Sequence, residues 1–138
     1  MNRRLIAALA CRNNGKRLFA KPLQNLDVEN GIRIIDNIID TLKAIECIDK
    51  IVLGISSGVE NQVYINIAEE KELDYIVGDE FDVLDRLIQC GNKAGATDIF
   101  RITSESPFLY FQMVKKSWEQ HCNEKNDATF FDEIVDGC

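Results

Sequence analysis

The sequence predicts an α/β domain in three layers, a mostly parallel sheet covered by helices on both faces. Two observations carry that expectation. Short apolar or β-branched runs at residues 5–10, 50–56, 75–77 and 98–103 alternate with longer stretches whose apolar residues recur at helical spacing. Strands alternating with helices of that length join into right-handed βαβ units and hence a parallel sheet. Length bounds the rest: 138 residues, 46 % of them hydrophobic, supply one core and not two, so residues 1–138 are expected to form a single domain.

Residues 5–10 (LIAALA) suit a buried strand and are short for a helix. The chain then turns polar and basic. Arg12, Lys16, Arg17 and Lys21 surround the turn formers Asn13, Asn14 and Gly15, against a formal net charge of −7. A turn after a buried strand, presenting backbone N–H groups and cations, is suited to hold phosphate; the alternative is a solvated basic turn. A Walker loop is excluded, because Arg17 follows Gly15-Lys16 where Ser or Thr is needed. The dinucleotide pattern Gly-x-Gly-x-x-Gly is absent too.

Residues 24–30 are polar and turn-rich. Residues 31–43 read as an amphipathic helix with Ile32, Ile35, Ile38, Ile39 and Leu42 on one face. The strand at 50–56 is closed by Ser56, Ser57 and Gly58, and residues 61–71 form a second helix through Val63, Ile67 and Ala68. After the strand at 75–77, a third helix spans 81–93 with Val83, Leu84, Leu87 and Ile88 inward, and Gly95 sits where a C-terminal glycine is common. The strand at 98–103 is broken by Ser104 to Pro107; a fourth helix covers 111–123, with Phe111, Val114 and Trp118 as a core stripe and the single histidine, His121, on the surface. Residues 128–131 would open a fifth strand.

Composition excludes several classes. A net charge of −7 argues against general nucleic-acid or anionic-membrane binding. No apolar run approaches the ~20 residues of a membrane span, and the N-terminus lacks a signal-peptide core. The five cysteines are scattered, without metal-ligand spacing, which suits reduced thiols in a cytoplasmic protein.

Ligands of parallel sheets bind at the carboxyl ends of the strands. That rule gathers four loops into one rim: 12–21, 56–57, 78–82 and 104–107. Cations beside carboxylates on one rim suit a metal-bound phosphate substrate.

Three blocks in this order resemble a known family: Cys11-Arg12 with Arg17-Leu18 and Lys21, GDEFDVLDR at 78–86, and RITSESP at 101–107. Together they are similar to the SpsF-like sugar cytidylyltransferases, relatives of the acylneuraminate and Kdo cytidylyltransferases. The resemblance implies a GT-A-like, Rossmann-like nucleotide-diphospho-sugar transferase fold. It implies transfer of CMP from CTP to an acidic or nonulosonic sugar with release of pyrophosphate, using Mg²⁺, in surface polysaccharide or glycan biosynthesis.

Carried over by position, Arg12, Arg17 and Lys21 would hold the triphosphate as catalytic cations, simple surface charge being the alternative for Arg12 and Lys21. Lys16 matches none of the family's cations. Cys11, Asn14, Gly15, Ser56, Ser57, Asp82, Arg86 and Arg101 would line the nucleotide. Asp82 is equally suited to cap the third helix, and Arg86 either reaches the ligand or pairs with Asp82. Arg101 is otherwise a strand arginine paired with Asp98, and Ser56-Ser57 an ordinary loop. Glu105 stands where the family places its Mg²⁺ aspartate, and either ligates the ion, acts through water or faces solvent. The family continues well beyond this length, so the chain is expected to hold the nucleotide half and to lack the acceptor-sugar half. The edge so exposed would be covered by a second copy, as a homodimer. A non-catalytic nucleotide-binding or interaction domain is the alternative function, and the fold leaves base and sugar open.

Overall fold

A computed structural model describes residues 2–130. Strand β1 (Leu5–Cys11) leads through a 3₁₀ turn at Lys21–Leu23 to a small antiparallel hairpin, β2 (Asn25–Asp27) and β3 (Ile32–Arg33). Helix α1 (Ile34–Lys43), strand β4 (Lys50–Ser56), helix α2 (Gln62–Glu70), strand β5 (Asp74–Gly78), helix α3 (Val83–Ala94), strand β6 (Asp98–Thr103) and helix α4 (Val114–Glu124) follow. The main sheet has four strands in the order β5-β4-β1-β6, all parallel.

Strand alternation decides which helix covers which face. Ala7, Leu9 and Cys11 of β1 point to the same side as Leu53 and Ile55 of β4, against the apolar stripe of α1 and Tyr64, Ile67 and Ala68 of α2; Val114 of α4 joins this cluster. Ile6, Ala8 and Val52 point the other way, against Leu87, Cys90 and Ala94 of α3. The result is the expected three-layer α/β/α arrangement. Ile35, Ile38, Ile39 and Leu42 are all at most 1 % exposed. Each therefore contributes about 2 kcal/mol of hydrophobic stabilisation.

The chain walks outward from β1 to β4 and β5, then returns to the far side of β1 with β6. That reversal opens a crevice between the carboxyl ends of β1 and β6, the position where open α/β sheets bind ligands.

Five expectations need correction. The first helix begins at Ile34 and not at 31, because Gly31 (φ +66°) and the Asp27 carboxylate, which accepts from the Asn30 amide at 3.1 Å, turn the chain into the hairpin; Ile32 lies in β3, 37 % exposed. Asp36 then starts the helix, its Oδ2 accepting from the Arg33 amide at 3.0 Å. On α3, Leu87 is buried, but Leu84 and Ile88 are 68 % and 46 % exposed, and Arg86, Cys90 and Gly91 face the sheet instead. In the fourth helix region, Phe111 opens a 3₁₀ turn and is 45 % exposed, so the core contact is Val114. His121 is half-buried, its ring within 3.1 Å of Asp98. Residues 128–130 form no strand, and residue 131 lies outside the described residues. Cys11, Cys47, Cys90 and Cys122 are free thiols, and Cys138 lies outside. Among the described residues no helix is long and apolar enough to cross a membrane.

Candidate functional site

The loop after β1 is built around Asn13, a polar residue only 5 % exposed. Its carbonyl accepts from the amides of Gly15 (2.9 Å) and Ala20 (2.8 Å), which closes residues 13–20 into a compact loop. Its own amide donates to Asn61 Oδ1 at 2.7 Å, and its side chain accepts from the Tyr64 hydroxyl at 2.6 Å and donates to the Glu60 carbonyl. Tyr64, at the start of α2, also donates to the Arg12 carbonyl at 3.2 Å; burial pushes its phenol pKa up, so the hydroxyl stays a donor. Gly15 is required where it stands, since a Cβ there would lie 2.7 Å from the Leu18 carbonyl oxygen. Arg12, Asn14, Lys16 and Arg17 face solvent on this locked loop, and Lys21 is half-buried at its exit. Asn14 donates to Glu60 Oε1 at 2.7 Å.

The loop after β6 meets the first across the crevice. Ser104 is buried, and Glu105 extends so that a Cβ at Gly15 would stand 3.7 Å from Glu105 Oε1. The Asn37 amide of α1 anchors the loop through the Pro107 carbonyl at 2.8 Å.

The other two loops are partly committed to the fold. Asp79 Oδ1 accepts from the amides of Phe81 (2.8 Å) and Asp82 (2.9 Å), which hold its carboxyl below the usual range. Asp82 caps α3, accepting from the Asp85 amide at 2.9 Å. Ser57 is exposed and its amide donates to the Gly78 carbonyl at 2.8 Å, whereas Ser56 is 1 % exposed and its Oγ has no partner.

Arg86 does not pair with Asp82. It is 1 % exposed and lies across the sheet, Nη1 donating to the carbonyls of Gly54 (3.0 Å) and Cys11 (3.4 Å), while Nε has no partner. The Cys11 side chain is buried in the α1/α2 core, its thiol pKa pushed up by that burial, so only its backbone faces the rim. Arg101 is exposed in mid-strand, in register with Ala8 and short of the rim. Asp98 is held instead by Arg3 and His121, at the opposite end of the sheet.

The structure therefore brings Gly15 and Glu105 together, with Arg12 and Asn14 on the same loop as Gly15, sets Ser56 and Ser57 at the end of β4 and Asp82 at the start of α3, and withdraws Arg86 into the interior. Sequence reading missed Glu60, Asn61 and Tyr64, and took Asn13 for a plain turn residue. A tyrosine among the inward-facing aliphatics of α2 was the available signal, since a buried hydroxyl needs a partner.

Among the described residues no three His, Cys, Asp or Glu side chains cluster as a metal cage. Mg²⁺ commonly takes one or two carboxylates with the rest supplied by water and substrate phosphates. Glu105 beside a cationic loop fits an ion carried on a phosphate ligand.

Similar architecture occurs in solved structures. A CMP:2-keto-3-deoxy-manno-octonic acid synthetase complexed with CTP superposes with a TM-score of 0.72 at 14 % identity, over 88 % of this chain and 48 % of that one. A cytidylyltransferase from Leptospira borgpetersenii serovar Hardjo-bovis (strain JB197) superposes with a TM-score of 0.81, also at 14 % identity, over 90 % of this chain and 51 % of that one. The chain thus spans about half the length of each. No protein-family model and no curated protein sequence matches it. At this identity the likeness is one of fold, and it bears out the expected α/β architecture with a mostly parallel sheet.

Proposed function

We propose that the rim binds CTP and that the protein takes part in transferring CMP to an acidic sugar. The observation that carries this reading is the meeting of Glu105 with a locked cationic loop at the β1/β6 crevice. The fold shared with two cytidylyltransferases makes CTP the first nucleotide to test.

In the reaction, an acceptor oxygen attacks the α-phosphorus of CTP. A new oxygen–phosphorus bond forms, the bond to the β-phosphate oxygen breaks, pyrophosphate leaves, and the acceptor's proton passes to solvent. Arg12 and Arg17, exposed on a loop whose base cannot shift, would offset the charge that grows on the phosphoryl oxygens and the leaving group. Lys21 would serve the distal phosphates. A loop closed on the Asn13 carbonyl pre-orients these cations, so little ordering is left for the binding step. Glu105 would hold the Mg²⁺ that rides on the phosphates, which supplies neutralisation of their charge. Ser57, exposed just past the end of β4, would contact the nucleoside.

A second reading, nucleotide binding without turnover, is favoured by the use of Asp79 and Asp82 on backbone amides, which leaves few rim carboxylates for metal. Thermal shift with CTP, ATP, GTP and UTP, each with and without Mg²⁺, tests the shared premise, since a ligand of the native state raises apparent stability. A CTP-selective, Mg²⁺-dependent rise is expected, and no rise with any nucleotide would remove both readings. Pyrophosphate release on adding acidic sugars then separates transfer from binding alone.

A further inference from the structure

We infer that Arg86 is a buried cation whose counter-charge is the phosphate of the bound nucleotide, acting through its charge from beneath the first loop without touching the ligand. The inference rests on the nucleotide reading above and adds to it a residue that the rim surface does not display.

Buried arginines are ordinarily paired with a carboxylate, because an isolated charge in a poorly polarisable interior is costly. Arg86 is 1 % exposed, yet no ion pair involves it among the described residues. The two nearby candidates are engaged elsewhere: Asp82 caps α3, and Asp79 Oδ1 serves two backbone amides. What Arg86 does have is two carbonyls, of Gly54 and Cys11, on a single nitrogen. These fix the guanidinium but do not neutralise it. Among the described residues its Nε is one of two buried side-chain polar atoms without a partner, the other being Ser56 Oγ, two residues along β4 from Gly54.

The surrounding sequence makes room for this side chain. A Cβ on Gly78 would stand 2.7 Å from Arg86 Cγ, and one on Gly54 would stand 3.8 Å from Arg86 Cβ and 3.2 Å from Cys90 Sγ. Meanwhile Leu84 and Ile88 of the same helix remain exposed.

Position supplies the purpose. Cys11, whose carbonyl accepts from Arg86, is the residue immediately before Arg12 and the cationic loop. Burial, joined by the like charge of Arg12, pulls the Arg86 pKa down, and the Asp79 carboxylate, which makes no ion pair with it, only partly offsets this. An arriving triphosphate would supply the missing charge, and the benefit grows with the number of phosphates.

Calorimetric titration of the full chain with CMP, CDP and CTP tests this, using the wild type, Arg86→Gln and Arg86→Lys. Glutamine keeps hydrogen-bond donors and loses the charge; lysine keeps the charge and loses the fork. We expect Arg86→Gln to lose about tenfold in CTP affinity and much less for CMP, the scale of one charge acting across several ångströms of protein. Arg86→Lys should retain the wild-type increase from CMP to CTP. Equal losses for all three nucleotides in both variants would overturn the inference, as would an unchanged increase in Arg86→Gln. If Arg86→Gln does not fold, Arg86→Lys decides: a retained increase supports the inference and a flattened one overturns it. Failure of both to fold would assign Arg86 to architecture alone and overturn it as well. A wild type that binds none of the three nucleotides is the separate result that removes the nucleotide reading itself.

Discussion

The two ends of the parallel sheet treat charge in opposite ways. At the amino end, Asp98 opens β6 and is surrounded by donors: Arg3 Nε at 3.0 Å, Thr97 Oγ1 at 2.6 Å and His121 Nε2 at 3.1 Å. Burial works against its ionised form, yet these hydrogen bonds, Arg3 first, hold its carboxyl down to about 2. The donors are braced in turn, with Trp118 stacked on His121 and the Arg3 guanidinium 5.5 Å from the Trp118 ring centre. At the carboxyl end, Arg12 and Arg17 stand in solvent, and among the described residues Arg86 is buried without an ion pair and Ser56 Oγ has no partner. A saturated polar cluster binds the chain to itself. An unsaturated one is left for something else to complete, which is why the second end is the candidate site although the first contains the histidine.

That contrast can be broken by variants that move stability at one end and affinity at the other. The largest effect is expected from Asp98→Asn, which should lower stability by about 2 kcal/mol near neutral pH, the order for losing charged hydrogen bonds in a poorly exposed site. The sign with pH follows from the depressed carboxyl. Its contribution is complete above the ordinary carboxylate range, near about pH 4, and is lost as pH falls through the folded value. Acid unfolding of the wild type should therefore steepen below about pH 4, and Asp98→Asn should lack that component. CTP affinity, measured well below the melting temperature, should not change; a drop would mean that the two ends are not independent.

Asn61→Ala should cost about 1 kcal/mol in stability, since it leaves the buried Asn13 amide without an acceptor. It should also weaken CTP binding by unlocking the first loop, and denaturant titration beside calorimetry would read both. An Asn61→Ala chain that binds CTP as tightly as wild type would show that loop order is unimportant. Arg17→Ala should leave stability alone and weaken triphosphate binding by about 1 kcal/mol. Unchanged affinity would take Arg17 out of the site. The smallest effect is sought with Glu105→Gln, for which CTP binding should become insensitive to Mg²⁺; retained sensitivity would end the metal role of Glu105.

Much of this was legible in the chain, for identifiable reasons. β4 lies where its β-branched run places it, because a strand buried on both faces carries a continuous apolar signal, and β6, at the sheet edge, is found where apolar and polar residues mix, with every second residue exposed. The glycine after α3 does adopt the left-handed conformation, φ +62°. The inward face of α3 was not legible. Helical spacing favours Leu84 and Ile88, but the glycines of two different strands offer a groove that only a long, narrow side chain fills. The Asn13–Asn61–Tyr64 lock was equally hidden, since its members lie 48 and 51 residues from Asn13 along the chain.

What the sequence determined by itself is the alternation of the four main-sheet strands with the helices and their parallel pairing, because hydrophobic period and turn chemistry are local properties that add along the chain; the small β2–β3 hairpin was not among them. It also placed the cations on one loop. Which polar groups meet, which stay unpaired and which side of a helix enters the core were decided only by tertiary structure. Those outcomes depend on distances between segments remote in sequence, and a hydrogen bond exists or fails within a few tenths of an ångström.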